Sequence, residues 1–493
     1  MNNIIDNQTG ILLNYLKYAA NTDYGRLYNF QSIKSYEQFI EKVPVSDFNS
    51  YNPYKERLKR GEADLVWPGS ANEFAISAGT TGEPKIIPIF KERKQSDRRF
   101  LRQVAFSYLR RYPDFIKLLG KQITLPGMVE NWPDYPRATF GEISGLLALN
   151  APYIFTRQQL IPANESVWMS FQDKVEKNIE LGVKEDVRVF TSLPSVALRF
   201  FQQLLEKTGK QSIAEIWPNL QAIITGGEPL KSYKAHIKKL SEGINPRFVE
   251  NYGASEGYFA FNTEQDRDDL KMVVDNNVFY EWIPDPSENR DELKKQKPIP
   301  TWQVETGKRY AMVVTSDSGL WRYLLNDVIL FTDLETPRIR VTGRVSDVLD
   351  DYGETIESIH IQQTLEKVTG ELGGIYSNWC VGVLLNDDYT TPTHIWFIEW
   401  AEKPVNTEAF VKAVDETLIS INRSYEIRRK GGAISEPKFY NLNRRAIEQW
   451  QKELFKVKAQ SKTPRMIHNQ EICLSLMNKC EPLLRVTHAM QNL

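Results

Sequence analysis

The sequence predicts an α/β protein with a smaller α+β domain at its C-terminal end. Residues 187–209 and 220–240 each combine a β-branched run, a turn containing proline or glycine and an amphipathic helix, and residues 246–261 end a third apolar run in a Gly/Ser turn. This alternation favours a sheet with parallel strand pairs. Ligands of such sheets bind at the carboxyl ends of the strands, where these turns follow, so we expect the binding site there.

The elements before this region are mostly helical or irregular. Residues 8–20 place their apolar side chains on one helical face, which predicts a docking helix. Residues 43–70 are rich in proline and tyrosine and predict an extended loop around one short helix. A basic helix is expected near 90–112, and its first part, KERKQSDRR at 91–99, is interpreted as a solvated helix face.

The region after residue 310 changes character part-way. Residues 310–349 predict consecutive strands, and NWCVGVLLND (378–387) with THIWFIEWAE (393–402) predicts a strand pair. One long helix over about 407–429, a charged helix and a Lys-rich tail are expected to follow. We place a domain boundary near Arg344, which gives domains 1–344 and 345–493.

The composition is typical of a globular protein and gives no sign of binding to nucleic acid or of crossing a membrane. The 493 residues are 41% apolar and 25% charged, with a formal net charge of -1, so no basic surplus points to nucleic acid. No apolar run approaches the roughly 20 residues that cross a bilayer, and the first residues lack a signal-peptide pattern. The three cysteines indicate a reducing compartment. We expect a cytoplasmic protein, with a monomer as the default state.

One loop raises the first functional question. FAISAGTTGEPKIIPIF (74–90) places two glycines, two threonines and Lys85 between strand-like runs. A flexible segment rich in hydrogen-bond donors and ending in a lysine suits an anion, most plausibly phosphate, although it lacks the P-loop spacing. The alternative is a β-hairpin turn with an exposed lysine, and the loop alone does not decide between them.

Further segments combine glycine with reactive polar groups: TGGEP (225–229), NYGASEG (251–257), GLWRYLLNDV (319–328) and VTGRVSDVLDDYGE (341–354). Taken singly, each could be a turn. Glu256 could neighbour a helix N-cap, Asp327 could be a surface acid, and Arg344 could be an ordinary ion-pair partner.

In their order, these segments resemble the adenylate-forming superfamily of acyl-CoA synthetases, peptide-synthetase adenylation domains and luciferases. More narrowly, the chain resembles the Gretchen Hagen family of acyl-acid amido synthetases, which includes the auxin- and jasmonate-conjugating enzymes. The closer resemblance runs from about residue 22 to 470 and adds DYGRLYNF, VPVSDF, GEADLVWPGS and GEISG (141–145). It implies a large N-terminal adenylate-forming domain with mixed sheets and helices, and a smaller, mobile C-terminal domain.

The resemblance implies a two-step ligase reaction. A carboxylate is a poor acyl donor, so ATP first converts the acid into an acyl adenylate and pyrophosphate leaves. The acyl group then passes to an amino acid, which forms an amide. Two alternatives stay open: a ligase that uses coenzyme A or another acceptor, and a non-catalytic, ligand-binding homologue.

The resemblance also assigns roles to residues of this sequence. It implies that the Thr-rich loop holds the ATP phosphates through Ser77, Gly79, Thr80, Thr81, Gly82 and Lys85. In NYGASEG, it places Tyr252 by the adenine, Ser255 near the phosphate with Gly253 and Ala254 between them, and Glu256 on Mg²⁺, which prefers oxygen ligands. It implies that Asp327 hydrogen-bonds the ribose hydroxyls.

Residues near the boundary and in the tail complete the implied site. Arg344 matches the arginine that meets the ribose or α-phosphate, and Lys462 in AQSKTPR matches a lysine that stabilises phosphate charge during adenylation. The alternative for Lys462 is one more lysine of a Lys-rich tail. The small domain would rotate about Ser346 or its neighbours. Members often carry a lysine after Gly-Glu, where this chain has Thr355.

The acid pocket and the base are the least defined parts. We expect the acid beside the large sheet, with GEISG and TSLPS (191–195) as walls and Gly145 and Leu193 as contacts. The α-amino group of the acceptor, with a pKa of roughly 8, must lose a proton before it attacks. The five histidines lie outside every motif, so histidine catalysis is not expected.

Overall fold

The structure, a computed structural model, describes most of the chain. It describes residues 2–77, 85–227, 230–284, 286, 290–345, 348–349, 354, 356–385, 392–430, 433–443, 450, 464–467 and 470–483. These residues divide into two compact units, Met1–Val341 and Thr342–Leu493. The predicted boundary at Arg344 lies at the end of the strand in which the division falls.

Unit 1 contains both helices and strands. Its helices are α1 (Asn2–Tyr18), α2 (Asp23–Leu27), α3 (Tyr36–Lys42), α4 (Asn52–Lys59), α5 (Lys91–Arg111), α6 (Ile143–Leu149), α7 (Tyr153–Thr156), α8 (Ala163–Ser166), α9 (Phe171–Gly182), α10 (Pro194–Thr208), α11 (Lys231–Leu240) and α12 (Arg290–Lys295). Its 3₁₀ helices are Phe30–Ser32, Phe48–Tyr51, Phe115–Leu118, Ile213–Glu215 and Thr301–Gln303.

The strands of unit 1 follow the same chain order. They are β1 (Glu73–Ser77), β2 (Lys85–Pro88), β3 (Lys121–Thr124), β4 (Val129–Asn131), β5 (Thr139–Gly141), β6 (Val187–Ser192), β7 (Ala222–Gly226), β8 (Arg247–Ala254), β9 (Gly257–Asn262), β10 (Leu270–Met272), β11 (Val278–Pro284), β12 (Ile299–Pro300), β13 (Arg309–Ser316), β14 (Leu320–Asp333) and β15 (Arg338–Arg344). The last of these crosses the division between the units.

Two sheets organise unit 1. The larger has the strand order β12-β11-β13-β14-β15-β10-β9-β8-β7-β6-β3, and the smaller has the order β2-β1-β5-β4. In the larger sheet β3, β6, β7 and β8 are parallel, whereas β8 and β9 are antiparallel. The predicted α/β class and its parallel strand pairs are therefore confirmed.

Unit 2 is α+β. Its helices are α13 (Ser358–Leu372), α14 (Thr407–Ile421), α15 (Arg423–Lys430) and α16 (Gln470–Met477). Its strands are β16 (Val348–Leu349), β17 (Ile356–Glu357), β18 (Ile375–Leu385), β19 (Pro392–Glu402), β20 (Lys438–Asn441), β21 (Met466–Ile467) and β22 (Glu481–Pro482). One sheet has the order β21-β18-β19-β20-β22, and the predicted strand pair, β18 and β19, is antiparallel within it.

Two local predictions were wrong. The helix predicted over 407–429 is two helices, because Asn422 leaves helical geometry at φ -124° and ψ 107° and its Oδ1 accepts a hydrogen bond from the Tyr425 amide at 2.8 Å, which begins the second helix. Residues 91–99 are helical, but Arg93, Ser96 and Asp97 are buried rather than solvated.

Each unit has hydrophobic cores of its own. In unit 1 one cluster packs α1 and the N-terminal aromatics on the larger sheet, and another packs α9, α10 and α11 against β6 and β7. In unit 2 the central strands β18 and β19 are covered by α13 and α14 on one side and by α16 on the other. Among the described residues, no helix is both long enough and apolar enough to span a membrane.

Candidate active site

The predicted turns lie together at one edge of the larger sheet. Because β3, β6, β7 and β8 are parallel, their carboxyl ends share that edge. A Cβ added at Gly226 would lie 2.8 Å from the carbonyl oxygen of Asn251, and one at Gly227 would lie 2.6 Å from Leu193 Cδ2. The turn after β7 therefore packs against the ends of β6 and β8. Residues 228–229 of TGGEP lie outside the described residues.

NYGASEG forms the end of β8, a turn at Ser255 and Glu256, and the start of β9. Both turn residues are buried. The Ser255 carbonyl oxygen accepts a hydrogen bond from Arg93 Nη1 at 3.1 Å, and the Glu256 carbonyl oxygen accepts one from Ser316 Oγ at 3.4 Å. The turn is thus fixed from two sides, by α5 and by the end of β13.

The Glu256 side chain suits a Mg²⁺ ion that is bound jointly by the protein and a phosphate, rather than a metal site built from protein ligands alone. Nothing in the described parts of the chain donates a hydrogen bond to its carboxylate, so these oxygens are available to a cation. Within the same residues, no group of three or more His, Cys, Asp or Glu side chains could hold a metal. An ion there would take most of its ligands from phosphate and water, as Mg²⁺ commonly does.

Tyr252 and Asp327 bring two predicted segments into direct contact. The Tyr252 hydroxyl on β8 donates a hydrogen bond to Asp327 Oδ2 on β14 at 2.7 Å. Both side chains are half-buried, as are Gly253 and Ala254, the candidates that follow Tyr252 on β8. Segments 75 residues apart in the chain therefore place an aromatic ring and a carboxylate side by side.

The Thr-rich segment joins the two strands of a hairpin. β1 and β2 pair antiparallel, with Ser77 opposite Lys85, and Lys85 is half-buried. Gly79, Thr80, Thr81 and Gly82 lie outside the described residues, and the side chain of Ser77 is not described. The alternative prediction is a β-hairpin with an exposed lysine; β1 and β2 do pair as in a hairpin, but Lys85 is not fully exposed.

The candidates from the C-terminal part are less defined. Arg344 is the last residue of β15, and its side chain is not described. Lys462, Ser346 and Thr355 lie outside the described residues. Their predicted roles stay predictions.

The two predicted pocket contacts differ in their surroundings. Leu193 is half-buried at the end of β6 and contacts the turn at Gly227. Gly145 is buried in α6, where a Cβ would lie 2.7 Å from the carbonyl oxygen of Gly127. Gly145 therefore allows α6 to approach the chain after β3.

A buried cluster of charged side chains, Arg93, Asp97 and Asp317, lies next to the Ser255–Glu256 turn. Arg93 donates from Nε to Asp97 Oδ1 at 2.7 Å and from Nη1 to Ser318 Oγ at 3.1 Å. Asp317, which accepts a hydrogen bond from Ser96, is also buried. Burial raises the pKa of Asp317 to about 7. The cluster links α5 to the β13–β14 turn.

Three domain families match this chain in order. Residues 1–177 match the GH3 family N-terminal domain, residues 271–344 the GH3 family central domain, and residues 360–471 the GH3 family C-terminal domain. The chain belongs to the GH3 family. This is the Gretchen Hagen family that the sequence motifs resemble, so that prediction is confirmed.

Individual relatives of this GH3 protein are distant in sequence. It is 21% identical over 498 residues to the indole-3-acetic acid-amido synthetase GH3.3 of Arabidopsis thaliana, covering 86% of this chain and 82% of the relative. Its fold matches that of the AtGH3.15 acyl acid amido synthetase in complex with 2,4-DB, with a TM-score of 0.78, 16% identity, and coverage of 98% and 95% of the two chains.

The fold also extends to a second class of enzyme. A 2-hydroxyisobutyryl-CoA ligase in its postadenylation state, in complex with R3-HIB-AMP, matches with a TM-score of 0.59 and 16% identity, covering 95% of this chain and 90% of the ligase. At this identity the match shows a shared fold. The GH3 protein therefore shares its fold with this ligase as well as with the amido synthetase.

Sequence reasoning missed two groups at this site. Arg93 falls within the predicted solvated face at 91–99, although its spacing from Asp97, Phe100 and Val104 places it on the buried stripe of α5. The sequence predicts Glu142 only as part of the GEISG wall of the acid pocket. Its surroundings depend on residues 126–127, whose approach no local pattern predicts.

Proposed function

We propose that this protein is an ATP-dependent acyl-acid amido synthetase. It activates a carboxylic acid as an acyl adenylate, releases pyrophosphate and transfers the acyl group to an amino acid, which forms an amide. The contact between Tyr252 and Asp327 carries the proposal, because it joins NYGASEG to GLWRYLLNDV in a chain of the GH3 family. Such a ring and carboxylate suit the adenine and ribose of one nucleotide.

The chain's own residues divide the work of adenylation. Residues 77–85 would surround the ATP phosphates, and Ser255 would lie near them. Glu256 would hold Mg²⁺, which supplies charge stabilisation at the phosphates when bound. Arg344 and Lys462 would add positive charge from the C-terminal part and stabilise the phosphate as pyrophosphate leaves. Gly145 and Leu193 would contribute to the acid pocket.

The remaining assignments belong to the same proposal. The chain would consist of a 1–344 domain that binds ATP and acid and a mobile 345–493 domain that turns near Ser346. Lys462 would take the place of the lysine that many relatives carry where this chain has Thr355. We propose a cytoplasmic monomer that acts on small molecules, which agrees with three free thiols and with a net charge near zero.

ATP–pyrophosphate exchange tests the proposal. The assay would use a panel of alkyl, aryl and hydroxy acids that includes indole-3-acetic acid, and we expect exchange that depends on one class of acid. Glu256→Ala and Lys462→Ala should each reduce exchange by about 100-fold or more, because each removes a charge that acts on the phosphates. Each active acid is then paired with amino acids and with coenzyme A to identify the acceptor.

Matched controls separate these effects from general damage. Glu242→Ala on an exposed site and Lys458→Ala in the same lysine-rich tail should keep normal exchange. If Lys458→Ala and Lys462→Ala behave alike, Lys462 is one more tail lysine. A folded protein without exchange for any acid would contradict adenylation, and an acid-dependent thioester with coenzyme A would contradict the amide product.

A further inference from the structure

The GEISG motif contains one ionisable residue, Glu142, among residues that pack α6 against the chain after β3. A Cβ at Gly141 would lie 2.6 Å from the carbonyl oxygen of Met128. Ser144 Oγ accepts a hydrogen bond from the Gly127 amide at 2.9 Å. With Gly145 against the Gly127 carbonyl, the motif brings α6 onto residues 127–128. The charge of Glu142 is not needed for any of these contacts.

Glu142 stands where the ends of the two sheets meet. β5 is parallel to β1, with Gly141 opposite Ala75, so Glu142 follows its strand at the edge where β1 leads into the Thr-rich segment. On the other side, a Cβ at Gly127 would lie 2.5 Å from Glu142 Oε2, and Gly127 follows β3 of the larger sheet. The carboxylate therefore lies between the end of β1, which leads into the Thr-rich segment, and the end of β3 in the larger sheet.

The carboxylate of Glu142 is available to a ligand. It is half-buried, and nothing in the described parts of the chain donates a hydrogen bond to it. The charged group that acts on it is Lys174 of α9, which is fully buried and donates from Nζ to the Pro126 carbonyl oxygen at 2.5 Å. An ammonium has three donors, so this pair of charges is incompletely satisfied within the described structure.

Burial moves the pKa values of Glu142 and Lys174 toward neutral pH. It raises the pKa of Glu142 to about 7, against the opposing effect of the Lys174 charge. It lowers the pKa of Lys174 to about 8, again opposed by its partner. A general base works best when its pKa lies near the working pH.

Two other carboxyl groups of unit 1, those of Glu250 and Asp317, also have a pKa of about 7, but each accepts a hydrogen bond from the protein. Burial raises the pKa of Glu250 to about 7, yet its Oε1 accepts the Leu230 amide at 2.8 Å. Asp317 is fully buried and accepts a hydrogen bond from Ser96. Glu142 alone among these three is half-buried and without a donor in the described structure.

We propose that Glu142 is the general base of amide formation and binds the ammonium of the acceptor amino acid. This inference rests on the proposed function. The Glu142 carboxylate takes one proton from the ammonium, and the free amine attacks the carbonyl carbon of the acyl adenylate. The new N–C bond forms, the C–O bond to phosphate breaks with its electron pair leaving on AMP, and the nitrogen loses its second proton to water.

Lys174 is a positioning residue in this scheme. It does not touch the acceptor, because it is fully buried. Its charge lowers the pKa of Glu142 and so favours the ionised carboxylate, and its bond to Pro126 holds the chain against which the carboxylate lies. Loss of that charge should therefore move the pH dependence of acyl transfer upward.

The test compares three rates on the intact protein: ATP–pyrophosphate exchange, amide formation with an amino acid, and hydroxamate formation with hydroxylamine. Glu142→Gln should keep exchange within about threefold, while amide formation at pH 7 should fall by about 100-fold, which is typical for loss of a general base. Hydroxylamine is largely unprotonated at pH 7, so its reaction should stay within about threefold.

The pH profile gives a second readout. Wild-type amide formation should fall as the pH drops below about 7, when Glu142 becomes protonated. Lys174→Met should move that fall to higher pH, whereas Lys177→Met on the exposed side of α9 should not. Glu142→Asp keeps a carboxylate and should retain more amide formation than Glu142→Gln, even if both variants are less stable.

Several results would overturn the inference. Normal amide formation by Glu142→Gln would exclude the base, and equal losses with amino acid and hydroxylamine would show that Glu142 acts on the adenylate instead. Joint loss of exchange and transfer in a folded variant would place Glu142 in adenylation. Absence of exchange in the wild-type protein would refute the proposed function itself, and this inference with it.

Discussion

Arg93 is a charged side chain buried between α5 and the turn that carries Glu256. Its Nε bonds Asp97 and its Nη1 bonds both the Ser255 carbonyl and Ser318, whereas its Nη2 has no hydrogen-bond partner within the described residues. Such a group is expensive to desolvate, and removing it leaves a buried carboxylate unpaired. Its bond to the Ser255 carbonyl ties α5 to the residue that precedes the proposed metal ligand.

Arg93→Met should therefore lower the free energy of unfolding by about 3–5 kcal/mol, the usual cost of breaking a buried ion pair from one side. Urea denaturation measures this change. Arg98→Met, on the exposed side of the same helix, should change it by no more than about 0.5 kcal/mol. The double variant Arg93→Met/Asp97→Leu should recover part of the loss, and a loss below about 1 kcal/mol in Arg93→Met would contradict the argument.

At the scale of elements, the turn after β7 couples backbone conformation to the proposed acid pocket. Gly227 has a φ of +78°, which disfavours any side chain, and a Cβ there would also meet the end of the Leu193 side chain. Gly209, at the C-terminal end of α10, has a φ of +67° with open space around it. A side chain at either glycine would be strained by the positive φ, but only a side chain at Gly227 would also collide with Leu193.

Gly227→Ala and Gly209→Ala should therefore each cost about 1–2 kcal/mol of stability, which is the penalty of the left-handed conformation. Only Gly227→Ala should displace Leu193, so only this variant should change the KM for the acid, by about tenfold. Thermal unfolding and acid-dependent exchange measure the two effects. Equal KM values in both variants would exclude Leu193 as a pocket contact.

The sequence could predict elements wherever local periodicity agreed with the final packing. Parallel strands with their turns and the β18–β19 pair were of this kind. The helix predicted over 407–429 was wrong because Asn422 offers its own cap, a local signal that the apolar periodicity obscured. The face at 91–99 was wrong because burial of α5 depends on strands far along the chain.

The same limit applies to the candidate site. Tyr252, Glu256 and Asp327 could be named from their motifs, because each chemical role requires a particular residue type in a particular turn. Glu142 could not be singled out as a base, because burial raises its pKa against the opposing charge of Lys174, and the chain at Gly127 that lies against its carboxylate is distant in sequence. Burial by distant segments is a tertiary property without a local pattern.

For the whole molecule, the main feature is that each of the two units has cores of its own. The clusters around α1, the larger sheet, α9, α10 and α11 belong to unit 1, and those around β18 and β19 belong to unit 2. Chains with separate cores can fold as separate domains. Tyr252, Glu256 and Asp327 all lie in unit 1, whereas Lys462 belongs to unit 2.

A fragment of residues 1–344, which keeps β15 whole, should therefore fold cooperatively and bind MgATP but have little exchange activity. At 100 times its dissociation constant, MgATP should stabilise the fragment by about 2.7 kcal/mol, which a rise in Tm reports. The fragment with Asp327→Ala should lose most of that rise, because the proposed ribose contact is gone.

Exchange by the 1–344 fragment should fall by about 100-fold relative to the full chain, since the charge of Lys462 is missing. A fragment with full exchange activity would show that adenylation does not need unit 2, and a folded fragment without a Tm response to MgATP would contradict the nucleotide site in unit 1.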